Sequence, residues 1–441
     1  MKIRKLQLKN IGVFDDETIE FQPCPAKDKA EIHIFTGQNG SGKTTILQAL
    51  VSRFDFYIKS NLAVIENCHP LPNNFHKRFR KDGSILVISD FSSNGNIFVK
   101  TRLDWGEKLP YPLGWQEEQM PSDYWVSSLS EGKPYDNEMS FRFIPFALSG
   151  YRRIESERVE AIKEPKDFNP LSQALEFVKD YNQTNQLTIN QLIANNISKS
   201  AIEKGRNEQK SRKFANVLNS ISMAISQITG WKIEFDLETE PINLITRVNG
   251  IDLEFDVLPD GLRSLISWIA DLLGRVDLLK WQDDLPIMEK NLILFLDEIE
   301  VHLHPAWQRK VLPVVQKLFK NAQIFVSTHS PFVVNSVDDA WVYKLELENG
   351  KAKVSEPVRS EDGISYQTVL REIFGIEQEF GGKTQEDLDK FYKIVRNGNE
   401  FNENELKKLA KSLAEQSEEL NAIVQIELRQ LSRRKGKEIL L

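Results

Sequence analysis

A glycine-rich loop near the start of the chain has the residue types and spacing of a phosphate-binding site. Residues 37–44 read GQNGSGKT and match the pattern G-x-x-x-x-G-K-[ST] at every fixed position. Glycines let the backbone wrap closely round a phosphate, the helix that follows offers N–H donors, Lys43 supplies a positive charge, and the Thr44 hydroxyl can bind Mg²⁺. We therefore predict ATP and Mg²⁺ as cofactors, with Lys43 catalytic and the nucleotide held by Gly37, Asn39, Gly40, Ser41, Gly42, Lys43, Thr44 and Thr45.

A second group of candidate residues follows two apolar runs in the second half of the chain. Asp297 and Glu298 come directly after residues 292–296, and residues 323–327 lead into the sequence THSP. Asp297 can complete the Mg²⁺ shell, and Glu298 can orient or deprotonate an attacking water. His329 should lie at the carboxyl edge of the sheet, where a γ-phosphate sensor is the preferred interpretation and a structural histidine is the alternative. The predicted metal ligands are Thr44 and Asp297, and the predicted catalytic residues are Lys43, Glu298 and His329.

The segments around these residues predict an α/β fold. A β-rich run at residues 31–35 precedes the glycine-rich loop and a helical run at 45–50 follows it, which is the strand–loop–helix order that a phosphate loop requires. The two apolar runs named above are typical of parallel strands covered on both faces, and a helix is predicted between them at 306–318. Residues 2–21 alternate in hydropathy and predict two half-buried strands. We therefore expect a mixed sheet with helices on both faces.

Two other parts of the chain have a polar, helix-forming pattern. Residues 155–230 carry two apolar stripes, one at Leu171, Leu175, Phe177 and Val178, the other at Phe214, Val217, Ile221 and Ile225. The end of the chain is helix-forming and highly charged. The predicted domains are an N-terminal head lobe at 1–154, a helical insertion at 155–230, a C-terminal head lobe at 231–345 and a helical C-terminal region at 346–441.

Composition restricts the class of protein further. The chain of 441 residues is 40% hydrophobic and 27% charged, with two cysteines and a net charge of −7. These values fit a globular protein of a reducing compartment that has neither a disulfide framework nor a zinc site. Because no apolar run approaches the ~18 residues of a membrane span, we predict a cytoplasmic protein without membrane contact. DNA could bind only at local basic patches, here residues 76–81 and 204–213, for which an ordinary solvated surface is the alternative.

The sequence LPDG at residues 258–261, the signature turn, opens a long amphipathic helix. Asp260 and Gly261 at this point are an ordinary helix N-cap signal. The second interpretation is that the exposed helix N-terminus faces a phosphate bound by another subunit. Asp260 and Gly261 would then be nucleotide-binding residues.

In this order, the motifs resemble the ABC-type ATPase head of RecF and OLD-like proteins. The resemblance rests on the glycine-rich loop, the signature turn, residues 297–305 reading DEIEVHLHP and the THSP sequence at 328–331, the last two being typical of this branch and not of transporters. It covers about residues 1–345 and is weak across 55–230. The sequence FALSGYRR at 146–153 is also similar to an element of this group, in which Arg152 is a candidate for contact with nucleotide or DNA.

The resemblance implies that two heads enclose two ATP molecules, each site joining the phosphate loop of one subunit to the signature turn of the other. The chain would then form a head-to-head dimer, or an assembly of such dimers. Its signature turn departs from the wider class, because Pro259 stands where a serine hydroxyl usually reaches the γ-phosphate, and proline offers neither hydroxyl nor N–H. Slow hydrolysis, or ATP used mainly as a clamp, is therefore expected.

No nuclease centre is predicted in this chain. OLD-like proteins often carry a TOPRIM nuclease after the head, which needs a D-x-D pair after a strand, whereas Asp387 and Asp389 fall in a predicted helix and point apart. A head with a short helical tail resembles the ATPase subunits of anti-phage defence systems, especially PtuA of Septu, which is paired with an HNH nuclease. That resemblance implies an ATP-dependent regulatory subunit for a separate nuclease. A RecF-like DNA-repair ATPase and a non-hydrolysing, ATP-clamped scaffold are the alternatives.

The tail contains one further pattern that could bind this nuclease. Asn402 and Glu405 resemble a capping box, and an a/d stripe interrupted at Gln416 follows them. Either the stripe packs within its own chain, near Leu388, Phe391, Tyr392 and Val395, or it docks the nuclease. The stripe consists of Leu406, Leu409, Leu413, Leu420 and Ile423.

Overall fold

A computed structural model of the chain describes residues 1–24, 26, 28–61, 78–90, 98–104, 116–117, 141–150, 159, 161–162, 170–171, 174–177, 188–360, 365–376, 378–397 and 403–436. These residues divide into two units, Met1–Val369 and Leu370–Leu441. The described strands are β1 Lys2–Ile11, β2 Phe14–Glu20, β3 Glu31–Gly37, β4 Phe79–Asp90, β5 Phe98–Asp104, β6 Gln116–Glu117, β7 Ile144–Ser149, β8 Ile233–Thr239, β9 Ile242–Val248, β10 Ile251–Glu254, β11 Leu292–Asp297, β12 Gln323–Ser327, β13 Trp341–Glu348, β14 Lys351–Val354 and β15 Val358–Arg359.

The helices connect these strands in the first unit and form most of the second. Short 3₁₀ turns occur at Phe255–Val257 and Ile287–Glu289, and a π-helical turn occurs at Val369–Ile373. The described α-helices are α1 Lys43–Asn61, α2 Ile189–Glu203, α3 Glu208–Thr229, α4 Asp260–Leu278, α5 Pro305–Leu318, α6 Pro331–Val334, α7 Tyr366–Thr368, α8 Gly382–Asn397, α9 Glu403–Ala414 and α10 Glu418–Lys435. None of them is long and apolar enough to cross a membrane.

A seven-stranded sheet forms the centre of the first unit. Its order is β14-β13-β3-β12-β11-β7, with β15 also paired to β13. The strands from β13 to β7 are parallel, whereas β14 and β15 run antiparallel to β13. Phe295 and Phe325 share a core with Leu47 of α1, while the alternate residues Leu294 and Ile324 are also fully buried. Both faces of the parallel strands are therefore covered, and the predicted mixed α/β sheet is confirmed.

Two antiparallel sheets complete the first unit. The larger has the order β2-β1-β4-β5-β6, and the smaller has the order β10-β9-β8. Ile3 and Leu6 of β1 and Val87 of β4 are buried in the core that also contains α1. The two half-buried strands predicted across residues 2–21 are thus β1 and β2, whereas no strand was predicted at the positions of β4 and β5.

The predicted helical insertion is only partly helical in the described residues. Helices α2 and α3 are present, but Leu171, Leu175 and Phe177 lie in turns and bends, so the helical interpretation of this stripe is wrong. All three side chains are buried, and the main-chain carbonyl of Ala174 accepts a hydrogen bond from the N–H of Ala147 in β7 at 2.8 Å. The apolar spacing therefore reflects packing beside a strand. Val178 lies outside the described residues.

The second unit is a small helical bundle with its own core. Leu388 and Phe391 of α8 pack with Leu406 and Leu413 of α9 and with Leu428 of α10.

The predicted helical region at 346–441 begins too early. The end of β13 and the whole of β14 and β15 lie between residues 346 and 359. There, Asn349 and Gly350 have φ angles of 53° and 78°, as a tight hairpin between β13 and β14 requires.

The apolar stripe of the tail belongs to two helices and not to one. Helix α9 ends at Ala414, and the Ser417 hydroxyl caps α10 by accepting the N–H of Leu420 at 3.1 Å. The stripe residues Leu406, Leu413 and Leu420 are buried inside the bundle, while Leu409 and Ile423 are partly buried against it. The stripe therefore packs within its own unit and is not available to dock a nuclease. Asn402 lies outside the described residues.

Candidate functional site

Three neighbouring parallel strands bring the predicted site residues to one edge of the central sheet. The register pairs Asp297 of β11 with Ser327 of β12, and Ser327 with Phe35 of β3. The glycine-rich loop leaves β3 at Gly37, directly after this point. Because carboxyl ends of parallel strands open on the same edge, the loop, the Asp297–Glu298 pair and the His329 turn meet there.

The glycine-rich loop has a backbone shape that other residues could not adopt. Gly37, Gly40 and Gly42 have φ angles of 150°, 79° and 98°, in the region that L side chains rarely occupy. A Cβ atom on Gly42 would also lie 2.6 Å from the Phe14 ring. The β1–β2 hairpin thus packs tightly on the loop, and the glycine spacing is fixed by tertiary contact as well as by backbone conformation.

Lys43 is the first residue of α1 and is folded back onto the loop. It is 5% exposed, and its ammonium donates to the main-chain oxygens of Gly37 at 2.9 Å and Gln38 at 3.0 Å. Burial lowers the pKa of Lys43, while the charges of Glu298 and Asp297 oppose that shift. The ammonium is therefore held in the loop by carbonyl dipoles and nearby carboxylates, in a position from which it can turn to a phosphate.

Thr44, Asp297 and Ser327 form a small oxygen-rich cluster. The Thr44 hydroxyl lies 3.2 Å from each carboxylate oxygen of Asp297, and the Ser327 hydroxyl donates to Asp297 Oδ1. Burial raises the pKa of Asp297, the Ser327 hydrogen bond opposes this, and the charge of Glu298 adds to it. Hydroxyl and carboxylate oxygens are the ligands that Mg²⁺ prefers, so these residues fit the predicted metal.

A buried hydroxyl in the loop also points to a polar ligand. Ser41 is fully buried, and its hydroxyl has no hydrogen-bond partner among the described residues. A buried polar group without a partner costs free energy, and bound ligands are one common way of satisfying it. The predicted phosphate-binding role of Ser41 fits this observation.

Glu298 and His329 face each other at the same edge. The His329 Nε2 atom lies 3.8 Å from Glu298 Oε1, and both side chains are partly exposed, by 35% and 42%. Burial lowers the pKa of His329, and the charge of Lys43 adds to this effect. The main chain of Glu298 has a φ of 49°, and its N–H donates to the Ser327 carbonyl at 3.1 Å. The structure therefore brings together all three predicted catalytic side chains.

Gly150, the glycine of the sequence FALSGYRR, makes a close main-chain contact that no other residue would allow. A Cβ atom at Gly150 would lie 1.8 Å from the main-chain oxygen of Glu298, and the Gly150 N–H donates to the Asp297 carbonyl at 2.8 Å. Only glycine permits this approach to the strand end that carries the acidic pair. Arg152, the candidate contact residue in the same sequence, lies outside the described residues.

The signature turn lies against the segment that follows β11. A Cβ atom on Gly261 would be 2.6 Å from the His302 carbonyl and 3.2 Å from the Trp307 ring. Asp260 is exposed, and its carboxylate accepts a hydrogen bond from Arg263. Within the described residues, the hydrogen bonds and ion pairs of Asp260 and Gly261 do not reach the glycine-rich loop. These two predicted nucleotide ligands are thus not assembled with the others in a single chain.

Arg78 is a site residue that sequence reasoning assigned only to a basic surface patch. Its guanidinium donates to the Thr45 hydroxyl, directly after the glycine-rich loop. Burial lowers the pKa of Arg78, and the charge of Asp297 opposes the shift. In the same predicted patch, Phe79 is buried and Arg80 pairs with Asp15, while residues 76–77 lie outside the described part. Arg78 and Phe79 therefore face the protein interior, whereas Arg80 and Lys81 are exposed.

One known family matches most of the chain. Residues 32–335 match the family described as "AAA domain, putative AbiEii toxin, Type IV TA system", and residues 5–54 match a family described as "AAA domain". The longer match contains every predicted site residue, from Gly37 to His329.

Similar proteins differ in how much of each chain the similarity covers. The "Retron Ec83 probable ATPase" of Escherichia coli is 35% identical over 143 residues, 32% of this chain and 25% of that protein. The "Retron Vc95 probable ATPase" of Vibrio cholerae serotype O1 biovar El Tor is 23% identical over 423 residues, 83% of this chain and 78% of that protein. The "Septu protein PtuA" of Bacillus thuringiensis is 23% identical over 177 residues, 37% of this chain and 43% of that protein. The chain thus spans a quarter of the first relative and less than half of the third.

Solved structures that match the chain include an Smc head and the protein RecF. The Smc head bound to the C-winged helix domain of ScpA has a TM-score of 0.48 at 14% identity, covering 82% of this chain and 99% of that chain. The recombination mediator protein RecF has a TM-score of 0.39 at 12% identity, covering 80% of this chain and 98% of that chain.

Proposed function

The chain belongs to the AAA-domain family that its residues 32–335 match, and we propose that it binds Mg-ATP at the glycine-rich loop and hydrolyses it slowly. The observation that carries this proposal is the convergence of Lys43, Thr44, Asp297, Glu298 and His329 at one sheet edge. Lysine, hydroxyl, carboxylate and imidazole are the groups that phosphoryl transfer to water uses.

Each of these groups has a chemical role in the proposal. Thr44 and Asp297 would hold Mg²⁺, which when bound polarises phosphate oxygens. Lys43 leaves the loop carbonyls to neutralise charge on the transferred phosphate. Glu298 would accept a proton from the attacking water, and His329, 3.8 Å from that carboxylate, would contact the γ-phosphate.

The signature turn is the reason for proposing both slow ATP hydrolysis and a dimer. Asp260 and Gly261 make no described hydrogen bond or ion pair with the loop of their own chain, so we propose that a second copy supplies the signature turn to each site. Pro259 is exposed at the start of α4 and makes no side-chain cap hydrogen bond. A head-to-head dimer would therefore present a turn without the usual hydroxyl, and hydrolysis would lack one hydrogen bond to the γ-phosphate.

We further propose that this ATPase is cytoplasmic and controls a separate nuclease, of HNH type, in an anti-phage defence complex. The relatives named as retron ATPases and as Septu PtuA support this proposal. DNA contact would involve the α2–α3 turn, where Lys204, Arg206 and Lys210 are exposed. Charge reversal at these three residues should weaken DNA binding in a fluorescence anisotropy titration; unchanged affinity would remove this patch from the proposal.

Glu298→Gln is the test of the hydrolytic proposal. The amide fits the same space but cannot accept the proton of water, so Mg-ATP binding should persist while phosphate release is lost. In the presence of ATP, light scattering should then show a stable dimer. Glu356→Gln, an exposed glutamate after β14, is the matched control and should hydrolyse ATP at the wild-type rate. Phosphate release by Glu298→Gln at the wild-type rate would reject Glu298 as the base.

A second candidate function is favoured by Pro259. An ATP-clamped scaffold would bind Mg-ATP and dimerise but would release no phosphate in its wild-type form. The wild-type and Glu298→Gln proteins would then be indistinguishable in the phosphate assay. Measurable wild-type turnover would exclude the scaffold.

A further inference from the structure

Glu300 is a buried carboxylate that none of the proposed chemical roles uses. It lies two residues after Glu298 and is 9% exposed. Its Oε1 atom accepts the main-chain N–H of His329 at 2.6 Å. This distance is at the short end for an N–H···O bond, as expected when the acceptor carries a charge. Glu300 therefore connects the segment after β11 directly to the turn that carries the imidazole.

The same turn is held at a second point. The Ser330 hydroxyl donates to Oε1 of Gln308 in α5 at 2.5 Å, and Gln308 Nε2 donates to the Leu303 carbonyl at 2.8 Å. Ser330 Oγ also accepts the N–H of Phe332 at 3.1 Å and so begins α6. The main chain on the C-terminal side of His329 is thus fixed by neutral hydrogen bonds, while the residue itself is fixed by Glu300.

The environment of the second oxygen of Glu300 makes burial of this carboxylate energetically unfavourable. Its Oε2 atom is buried and has no hydrogen-bond partner among the described residues. Burial raises the pKa of Glu300, and hydrogen bonds from the main chain of His329 and the side chain of Thr328 are among the effects that oppose that shift. A buried carboxylate with one unpaired oxygen costs free energy, so packing by itself does not explain its presence. Such groups concentrate where a structure positions functional residues.

We propose that Glu300 is a positioning residue that fixes the main chain of His329, so that the imidazole stands 3.8 Å from Glu298. This inference rests on the proposed hydrolytic function. The imidazole itself is partly exposed and makes its closest described ion contact with Glu298, so its direction depends on how firmly its main chain is held. Without Glu300 the turn keeps its anchor at Ser330 but loses the one at His329.

The test compares Glu300→Ala and Glu300→Gln in the wild-type and His329→Ala backgrounds. Loss of a hydrogen bond to a charged acceptor should lower kcat by about tenfold to a hundredfold in Glu300→Ala, with KM for ATP changed less than about threefold. Glu300→Gln keeps an oxygen that accepts the His329 N–H, so its kcat should stay within about threefold of wild type. The residual turnover of the His329→Ala proteins is followed over hours with radiolabelled ATP.

The double variant separates positioning from general destabilisation. If Glu300 acts through His329, then Glu300→Ala combined with His329→Ala should be no slower than His329→Ala alone. Glu31→Gln, which alters a buried carboxylate at the opposite end of β3, should lower thermal stability without changing kcat. Multiplicative losses in the double variant, or a Glu300→Gln protein as slow as Glu300→Ala, would overturn the proposal.

Amide hydrogen exchange gives a readout that does not depend on hydrolysis. The His329 N–H should exchange faster in Glu300→Ala and at the wild-type rate in Glu300→Gln. If wild type shows no turnover but exchange behaves in this way, the hydrolytic proposal fails and the positioning role stands. Unchanged protection of His329 in Glu300→Ala would reject the positioning role whatever the ATPase result.

Discussion

Replacement of Lys43 by alanine tests whether the glycine-rich loop binds ATP, because it removes the buried positive charge of the loop. The ammonium donates to the oxygens of Gly37 and Gln38 inside the loop, and Asp297 and Glu298 both favour its charged form. The alanine variant therefore loses a buried cation from a site that keeps its carboxylates. These carboxylates would then repel the phosphates of ATP with only Mg²⁺ left to compensate.

The magnitude follows from the two hydrogen bonds that the ammonium can redirect to phosphate. A hydrogen bond to a charged group contributes about 1.5–3 kcal/mol, so two of them represent at least about 3 kcal/mol of binding free energy. The Kd for Mg-ATP should therefore rise about a hundredfold. The free energy of unfolding without nucleotide should change by less than about 1 kcal/mol, because removal of Lys43 also removes the cost of burying its charge.

Calorimetric titration measures this Kd, and thermal unfolding provides an independent value. At a concentration of Mg-ATP about 100 times the wild-type Kd, the wild type should gain about 2.7 kcal/mol and Lys43→Ala about 0.4 kcal/mol. Lys290→Ala is the matched control, because Lys290 is also buried and pairs with Asp283 at 2.6 Å. It should lose stability but keep the wild-type Kd. A Lys43→Ala protein that binds Mg-ATP within about threefold of wild type would refute the assignment of the loop.

Three further predictions follow from other contacts. Arg78→Ala should raise the Kd for Mg-ATP about tenfold, because a charged group beside Thr45 is lost; Arg80→Ala, which removes a surface pair with Asp15, is its control, and equal Kd values in a titration would contradict it. Burial raises the pKa of Glu31, but hydrogen bonds with His33 and Arg4 outweigh burial and hold this pKa at about 2, below its usual 4.5. That carboxylate therefore stabilises the fold above pH 4.5 and loses its effect as the pH falls toward 2. Glu31→Gln should cost about 3 kcal/mol of unfolding free energy at pH 7, with the difference from wild type shrinking in acid; a difference independent of pH in urea unfolding would be the contrary result. Because its apolar stripe is buried, the unit at residues 370–441 could bind a nuclease only through its outer surface. Its removal should abolish co-purification of nuclease activity while Mg-ATP affinity is kept, and the isolated full chain should not cut DNA; nuclease activity retained by the truncated chain would contradict docking at that surface.

Hydropathy patterns within short segments correctly predicted the central parallel strands. The runs at 292–296 and 323–327 became the buried parallel strands β11 and β12, because a strand covered on both faces must be apolar at every position. The same reasoning failed at Leu171, Leu175 and Phe177, since apolar spacing records burial and cannot distinguish a helix from turns that pack on a strand. In the tail, the apolar residues on both sides of Gln416 were assigned to one a/d stripe, although one helix ends at Ala414 and the next begins at Glu418.

Local sequence was enough to predict the chemistry of the loop and of its acidic partners. Glycine at 37, 40 and 42 permits the positive φ angles, and a lysine and a threonine at the start of α1 have fixed positions relative to that loop. These are local properties, because backbone conformation and the start of a helix depend on residues only a few positions apart. The apolar strand before Asp297 likewise fixed that residue at a sheet edge.

Which distant residues meet at that edge depends on how the whole chain folds. Thr44 and Asp297 are 253 positions apart, and Arg78 reaches Thr45 across 33. The contact between Glu300 and the His329 N–H spans 29 positions and depends on the parallel pairing of β11 with β12. Strand order and register are set by the packing of the whole core and not by local propensity, so no spacing rule in the sequence could reveal these partners.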